Sequence, residues 1–454
     1  MTETLLFIHA TVVTMNEQND LLIDGAVFID KGRIQDIGKT EDLLRKYQNI
    51  ETLDLSGQVL MPGLINLHLH SGLTRGTAED LEVFEWLTRH VDPKHRVLLE
   101  DDAYAAASLS YAEGVKSGTT TVLDMYRYVH RCIQAADEVG IRAVYAPYVA
   151  DRPQYNYFET LETNIDLLNN YQNSCNGRVK IWVGLEHLSY CTKEAYYEAA
   201  RIAEKYDTGI HTHGEESFEM SRKVKEKYGR WPIEVFYDRG ILGPKTILAH
   251  CVWVEPSELE ILASTKTSVA HCPVSNLKLA SGIAPIHQMQ SAGITVGIGT
   301  DGVKENNNLD LMEEMKYVPL LQKVKHLDAT IMPAEKVLRM ATIDAAKALG
   351  LDQEIGSVEC GKKADLIVID FRRLHLTPVL TEFYQNIFSN LVYAAQGSDV
   401  QHVFVDGTWV MKNRQLQRVN EETIRIQAQQ HAEQLIIRRE SVIPKQYSFQ
   451  GEFL

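Results

Sequence analysis

Hydrophobic and polar positions follow two rhythms along the chain. Near the N-terminus, short apolar and β-branched runs alternate with polar turns. Residues 5–15 (LLFIHATVVTM) run into the polar turn 16–20. Residues 25–38 read as a hairpin through Asp30-Lys31-Gly32-Arg33, and 50–65 supply more strand. From about residue 64, strand candidates alternate with amphipathic helix candidates such as 102–118 and 193–206. The predicted strands are 64–70, 119–126, 142–149, 179–187, 209–213, 246–252, 267–273 and 294–301. Such a series of β–α units predicts a barrel with right-handed crossovers. Residues 333–350 then read as one helix ending at Gly350. Strands return at 364–370 and 400–411, residues 420–439 read as a polar helix, and the last fifteen or so as a loose tail. The fold expected is α/β: a (β/α)8 TIM-type barrel over 61–360, a small discontinuous β-sandwich from 1–60 and 361–415, and a C-terminal helix and tail over 416–454.

Composition narrows the function classes. Hydrophobic residues make up 44% and charged residues 24%, the balance of a globular enzyme. A net charge of −15 repels phosphate backbones, so nucleic-acid binding is not expected. The six cysteines form no CxxC pair and read as a reduced set. No secretory signal and no bilayer-length apolar run is visible, so the expected location is the cytoplasm, without a membrane partner.

The chemistry sits where the predicted strands end. His68 and His70 close the first barrel strand, and side chains two apart on a strand share one face. Such barrels do their chemistry at the C-terminal mouth, where paired imidazoles make a metal clamp. His187 follows strand four, His211 and His213 end strand five, His250 strand six, His271 strand seven and Asp301 strand eight. Packing alone does not explain ligand-type residues at so many strand ends. A carboxylate after the apolar run AGITVGIGT is expensive unless it meets a cation or a proton.

The segments PGLINLHLH (62–70), GTTTVLDM (118–125), HTHGEE (211–216), AHC (249–251), HCPVSNLKLASGIAP (271–285), GIGTDG (297–302) and GSVECGKKADLIVID (356–370) together resemble the amidohydrolase superfamily. The similarity is to its aminohydrolase branch, with the adenosylhomocysteine and methylthioadenosine deaminases and the s-triazine hydrolases such as atrazine chlorohydrolase. The resemblance implies one divalent metal held by His68, His70, His213 and Asp301. Zinc is the default for such a set; iron, manganese or nickel fit similar ligands. It also implies that Glu216 protonates a ring nitrogen of the substrate, that His250 supports the attacking water and that Asp301 takes its proton. His187 matches a residue that contacts a substrate ring nitrogen. A homodimer or larger homo-oligomer is the family expectation.

The implied activity is hydrolytic deamination of an amino-substituted purine, pterin, pyrimidine or s-triazine by a metal-activated water. The alternatives are triazine-type displacement of chloride or alkylamine, and a non-catalytic scaffold, which the intact ligand set disfavours. Trp86 is a candidate for stacking on the substrate or for core packing. His95 stands where related deaminases carry a ribose-binding glutamate. Glu305 replaces a small residue near the leaving group; it reads either as a substrate contact or as a solvated pair with Lys304. His90 and His130 are further polar candidates.

Overall fold

A computed structural model describes residues 2–81 and 83–443; the expected tail mostly lies outside them. The strands in chain order are β1 (Leu5–Val13), β2 (Leu21–Asp30), β3 (Arg33–Lys39), β4 (Thr52–Asp54), β5 (Gln58–Pro62), β6 (Leu64–Leu69), β7 (Thr119–Asp124), β8 (Arg142–Tyr145), β9 (Val179–Ile181), β10 (Val183–Gly184), β11 (Ile210–Gly214), β12 (Thr246–His250), β13 (Ser268–His271), β14 (Val296–Ile298), β15 (Leu366–Asp370), β16 (Val400–Val405), β17 (Thr408–Lys412) and β18 (Gln415–Leu416).

Both chain ends enter one nine-stranded sheet, ordered β18-β17-β16-β15-β5-β1-β2-β3 with β4 beside β1. The junction is β5 against β15, antiparallel from Leu366↔Pro62 to Asp370↔Gln58. A buried ion pair fastens this sheet to the middle of the chain. Arg142 on β8 donates to Asp365 through Nε at 2.8 Å and Nη2 at 3.1 Å.

The middle strands are all parallel, in two sheets ordered β6-β7-β8-β9 and β10-β11-β12-β13-β14. Helices follow most of them, because strands buried on both faces need a cover on each. The chain passes from one sheet to the other through Trp182, whose N–H still bonds Tyr145 O on β8 at 2.8 Å, and at the far edges Asp301 N–H bonds His68 O at 2.9 Å. The mixed helix and parallel-strand architecture agrees with the sequence reading, with two local departures. Predicted strand four is split at Trp182: its amide still bonds Tyr145 O on β8, while the next amide, Val183 N–H, bonds Gly209 O beside β11 at 2.8 Å. The helix expected over 333–350 is two helices, Ala334–Met340 and Ile343–Ala348. The break falls where Ala341 O accepts the β6 amide of Ile65 at 2.9 Å instead of continuing the helix.

The C-terminal helix Glu421–Glu440 is capped by Asn420, whose side chain accepts from Thr423 N–H. It packs on the helix Glu100–Lys116, where His431 Nδ1 lies 2.9 Å from buried Asp102. Among the described residues no helix is long and apolar enough to cross a membrane.

Candidate metal centre and active site

The parallel strands deliver their C-terminal residues to one place. β6 carries His68 and leads into His70, and β11 carries His211 and His213. β12 ends on His250, β13 on His271, and Asp301 follows β14. Three residues here have left-handed backbone: Glu215 (φ 51°), His250 (φ 73°) and Asp301 (φ 62°). Side chains of this size rarely adopt that region, and such strain concentrates at functional sites.

Hydrogen-bond partners assign the ring protons. His70 Nδ1 lies 2.8 Å from Met125 O, and His213 Nδ1 2.5 Å from Glu186 O. A carbonyl only accepts, so Nδ1 carries the proton and each Nε2 presents a lone pair. His211 Nδ1 likewise donates to Ile247 O at 2.9 Å. His211 Nε2 is therefore an acceptor, and it lies 2.8 Å from His68 Nδ1. His68 must donate there, which leaves His68 Nε2 as a third inward lone pair. That atom is buried and has no hydrogen-bond partner among the described residues.

These lone pairs converge. His70 Nε2 is 3.1 Å from His213 Nε2, and Asp301 Oδ1 is 3.4 Å from His68 Nε2 and 3.3 Å from His70 Nε2. Unprotonated acceptors at such separations repel unless a cation lies between them. Metal–nitrogen bonds of about 2.0–2.1 Å in a tetrahedron put ligand atoms about 3.3 Å apart. The donor set thus fits a divalent metal in both spacing and tautomer.

Electrostatics agree. Burial pushes His68, His70 and His213 below the usual imidazole range, so they stand as neutral imidazoles. Burial works to raise Asp301, yet the imidazoles of His68, His70 and His250 gathered around it hold it well below the carboxylate range. Asp301 Oδ2 accepts from Ser275 Oγ–H at 2.7 Å. His250 Nδ1 faces Asn276 Oδ1 at 3.0 Å, and its Nε2 lies 3.9 Å from Asp301 Oδ2. His250 also belongs to a second compact ligand group with His68 and His213.

A cavity opens beside these groups. His187, Glu216, Trp86 and Glu305 all line it, with Glu186 and Lys304. Ser189 N–H donates to His187 Nδ1 at 3.3 Å, so His187 Nε2 is the ring's remaining donor. Burial pushes His187 down to about 4, which keeps it neutral. Burial pushes Glu216 up, with His250 opposing and Asp301 assisting. A carboxyl so placed holds its proton to higher pH than an exposed one.

Other expected residues lie elsewhere. His95 is buried against Tyr148 and Phe158 and does not line the cavity. His130 is exposed and pairs with Glu100, and His90 faces Arg439. His271 is buried with neither ring nitrogen bonded, outside the cavity wall. The reading of Lys304 and Glu305 as a solvated pair is corrected: they are 5% and 4% exposed and paired to each other. The sequence reading missed His211 as the partner of His68, Ser275 as the partner of Asp301, and Glu186. Glu186 lines the cavity with a buried Oε2 that has no partner among the described residues.

Along almost its whole length the chain is similar to known proteins. The 5'-deoxyadenosine deaminase of Methanosarcina acetivorans is 38% identical over 434 residues, 95% of this chain and 98% of that protein. A 5-methylthioadenosine/S-adenosylhomocysteine deaminase of Acetivibrio thermocellus is 36% identical over 437 residues, 95% and 99% of the two chains. An adenosine deaminase from Xanthomonas campestris, crystallised with bound zinc, superposes with a TM-score of 0.91 at 28% identity over 96% of this chain and 99% of that one. Residues 59–410 match the amidohydrolase family, and the chain belongs to it.

Proposed function

We propose that this chain is a metal-dependent hydrolytic deaminase that releases ammonia from the 6-amino group of a purine nucleoside of the 5'-modified adenosine type. The nucleoside class follows the relatives named above. One observation carries the mechanism: Asp301 Oδ1 lies 3.4 Å from His68 Nε2 and 3.3 Å from His70 Nε2, and His70 Nε2 lies 3.1 Å from His213 Nε2, beside a cavity lined by Glu216 and His187. His68, His70, His213 and Asp301 would hold the metal. Zinc suits this His and carboxylate set, and the zinc-bound relative supports that choice. A divalent cation there lowers the pKa of a bound water from about 16 to near 7 and so supplies a nucleophile at neutral pH.

The chain's own groups do the rest. His187 Nε2–H donates to one ring nitrogen and orients the base. Glu216, whose proton burial holds to higher pH than an exposed carboxyl would, gives it to the ring nitrogen beside the amino-bearing carbon. That carbon becomes electrophilic and water oxygen adds to it. Asp301 takes the water proton, and His250 Nε2, left as an acceptor because Nδ1 donates to Asn276 Oδ1, takes a hydrogen bond from the attacking water and so supports it. The adduct collapses as the amino group receives the proton held by Asp301 and departs as ammonia, while the hydroxyl proton returns to Glu216 and leaves a ring carbonyl.

The two parallel sheets support a further reading, that they are halves of one (β/α)8 barrel joined by the Trp182 and Asp301 backbone bonds. Its limits would be 61–360, with 1–60 and 361–415 forming the discontinuous β domain and 416–454 the C-terminal appendage. The functional test is ammonia release from purine nucleosides, free purines, pterins, pyrimidines and triazines, run on protein of measured metal content. Release from adenosine-type nucleosides at one metal per chain is expected. Silence across the panel in the metal-loaded protein would refute the proposal.

A further inference from the structure

Glu305 is the least explained charge in the cavity wall. Its carboxyl is buried, and only one oxygen is engaged: Oε1 accepts from Lys304 Nζ, while Oε2 is buried with no partner among the described residues. A buried acceptor left unmet costs free energy that a bound donor would recover.

The carboxyl is held in place from several sides. Glu305 N–H bonds Gly302 O at 3.1 Å and Asn306 N–H bonds the same oxygen at 3.0 Å. Lys278 Nζ clamps the loop through Lys304 O at 2.9 Å and Asn307 Oδ1 at 3.0 Å. Lys304 Nζ lies over the Trp86 ring, 5.3 Å from its centre. Oε2 itself rests against the backbone just after Asp301. A Cβ added at Gly302 would meet it at 2.5 Å and His70 Cβ at 2.9 Å. Only glycine there lets the carboxylate approach the strand end that carries Asp301, and both residues line the same cavity.

We propose that Glu305 Oε2 accepts a hydrogen bond from the leaving amino group and so selects amine over halide or alkoxide leaving groups. This rests on the deaminase reading above and adds to it the recognition of the group that departs. An amino nitrogen brings an N–H to the waiting oxygen. Chlorine and a methoxy oxygen bring only lone pairs, which a carboxylate repels.

The Lys304 contact sharpens the test. In Glu305→Gln the amide oxygen must take the Lys304 side, since an NH2 cannot accept from an ammonium. The amide NH2 then faces the cavity as a donor, and the preference reverses. The assay compares kcat/KM for adenosine, 6-chloropurine riboside and 6-methoxypurine riboside in the unaltered enzyme, Glu305→Gln and Glu305→Ala. Ratios within one preparation are independent of the folded fraction. Glu305→Ala is expected to lose about 10- to 100-fold of its amino-over-methoxy ratio, the worth of a hydrogen bond to a charged group. Glu305→Gln is expected to fall further, with the methoxy substrate gaining. Unchanged ratios in both variants, with the unaltered enzyme active on adenosine, would overturn this inference alone. An unaltered enzyme silent on every amino substrate would overturn the deaminase reading and this inference with it.

Discussion

His211 touches no substrate in the proposed mechanism, yet its loss should weaken the metal site by a calculable amount. His68 binds through Nε2 only in the tautomer that carries its proton on Nδ1. That proton has one acceptor, His211 Nε2 at 2.8 Å, which is itself oriented by Ile247 O at 2.9 Å. In His211→Ala the liganding tautomer would bury an N–H without a partner, since both rings are 0% exposed. Leaving a buried donor unmet costs about 1–3 kcal/mol. The competing tautomer escapes this cost but places hydrogen on the liganding atom. The penalty therefore falls on the metal-bound state alone and corresponds to roughly 5- to 150-fold in affinity. Removal of an outer partner of a metal-bound histidine generally costs about 10–100-fold, which brackets the same range. Competition with a chromogenic chelator on metal-stripped protein measures the constant directly. His211→Gln, whose amide oxygen can accept from His68, should recover part of the loss. Wild-type affinity in folded His211→Ala would refute the assignment of the His68 proton.

Three further outcomes follow from the same geometry. Glu216→Gln should keep its metal and lose about 10²–10⁴-fold in kcat, as expected for a general acid. Because burial raises Glu216, the active protonated form persists above the ordinary carboxyl range and is lost as pH rises through the raised value. That alkaline limb of the pH–rate profile should disappear in the variant. Asp124 is fully buried, where burial pushes it up to about 6 against the bonds from Ser71 and Tyr111. The folded protein then binds a proton that the unfolded chain releases near 4, so its contribution to stability is full below about 4 and lost as pH rises through about 6. Urea midpoints of the metal-free protein at pH 4 and pH 7 should show this trend, and Asp124→Asn should flatten it. Chelation should abolish ammonia release and lower the melting temperature, with zinc restoring both; full activity after stripping would refute the metal assignment.

How much of this site could be read beforehand depends on which atoms build it. His68 with His70 and His211 with His213 were visible because residues two apart on a strand share a face and the strands end there. Asp301 stood out against an apolar run. Exact strand limits were less legible, since Trp182 and Ala341 leave regular structure for partners distant in sequence. Burial was illegible wherever two charges stand together: Lys304-Glu305 looks like a solvated pair in one dimension, and only the fold folds it under Trp86. The tautomers were beyond reach for a deeper reason. The groups that set them are Met125 O, Glu186 O and Ile247 O, all backbone carbonyls. A carbonyl is supplied by every residue type, so selection for a correctly protonated ligand leaves no letter at those positions. The layer that would make three histidines into ligands is thus encoded by where the backbone runs, and substitutions that keep the strand path should leave it intact whatever side chain stands at Met125 or Ile247.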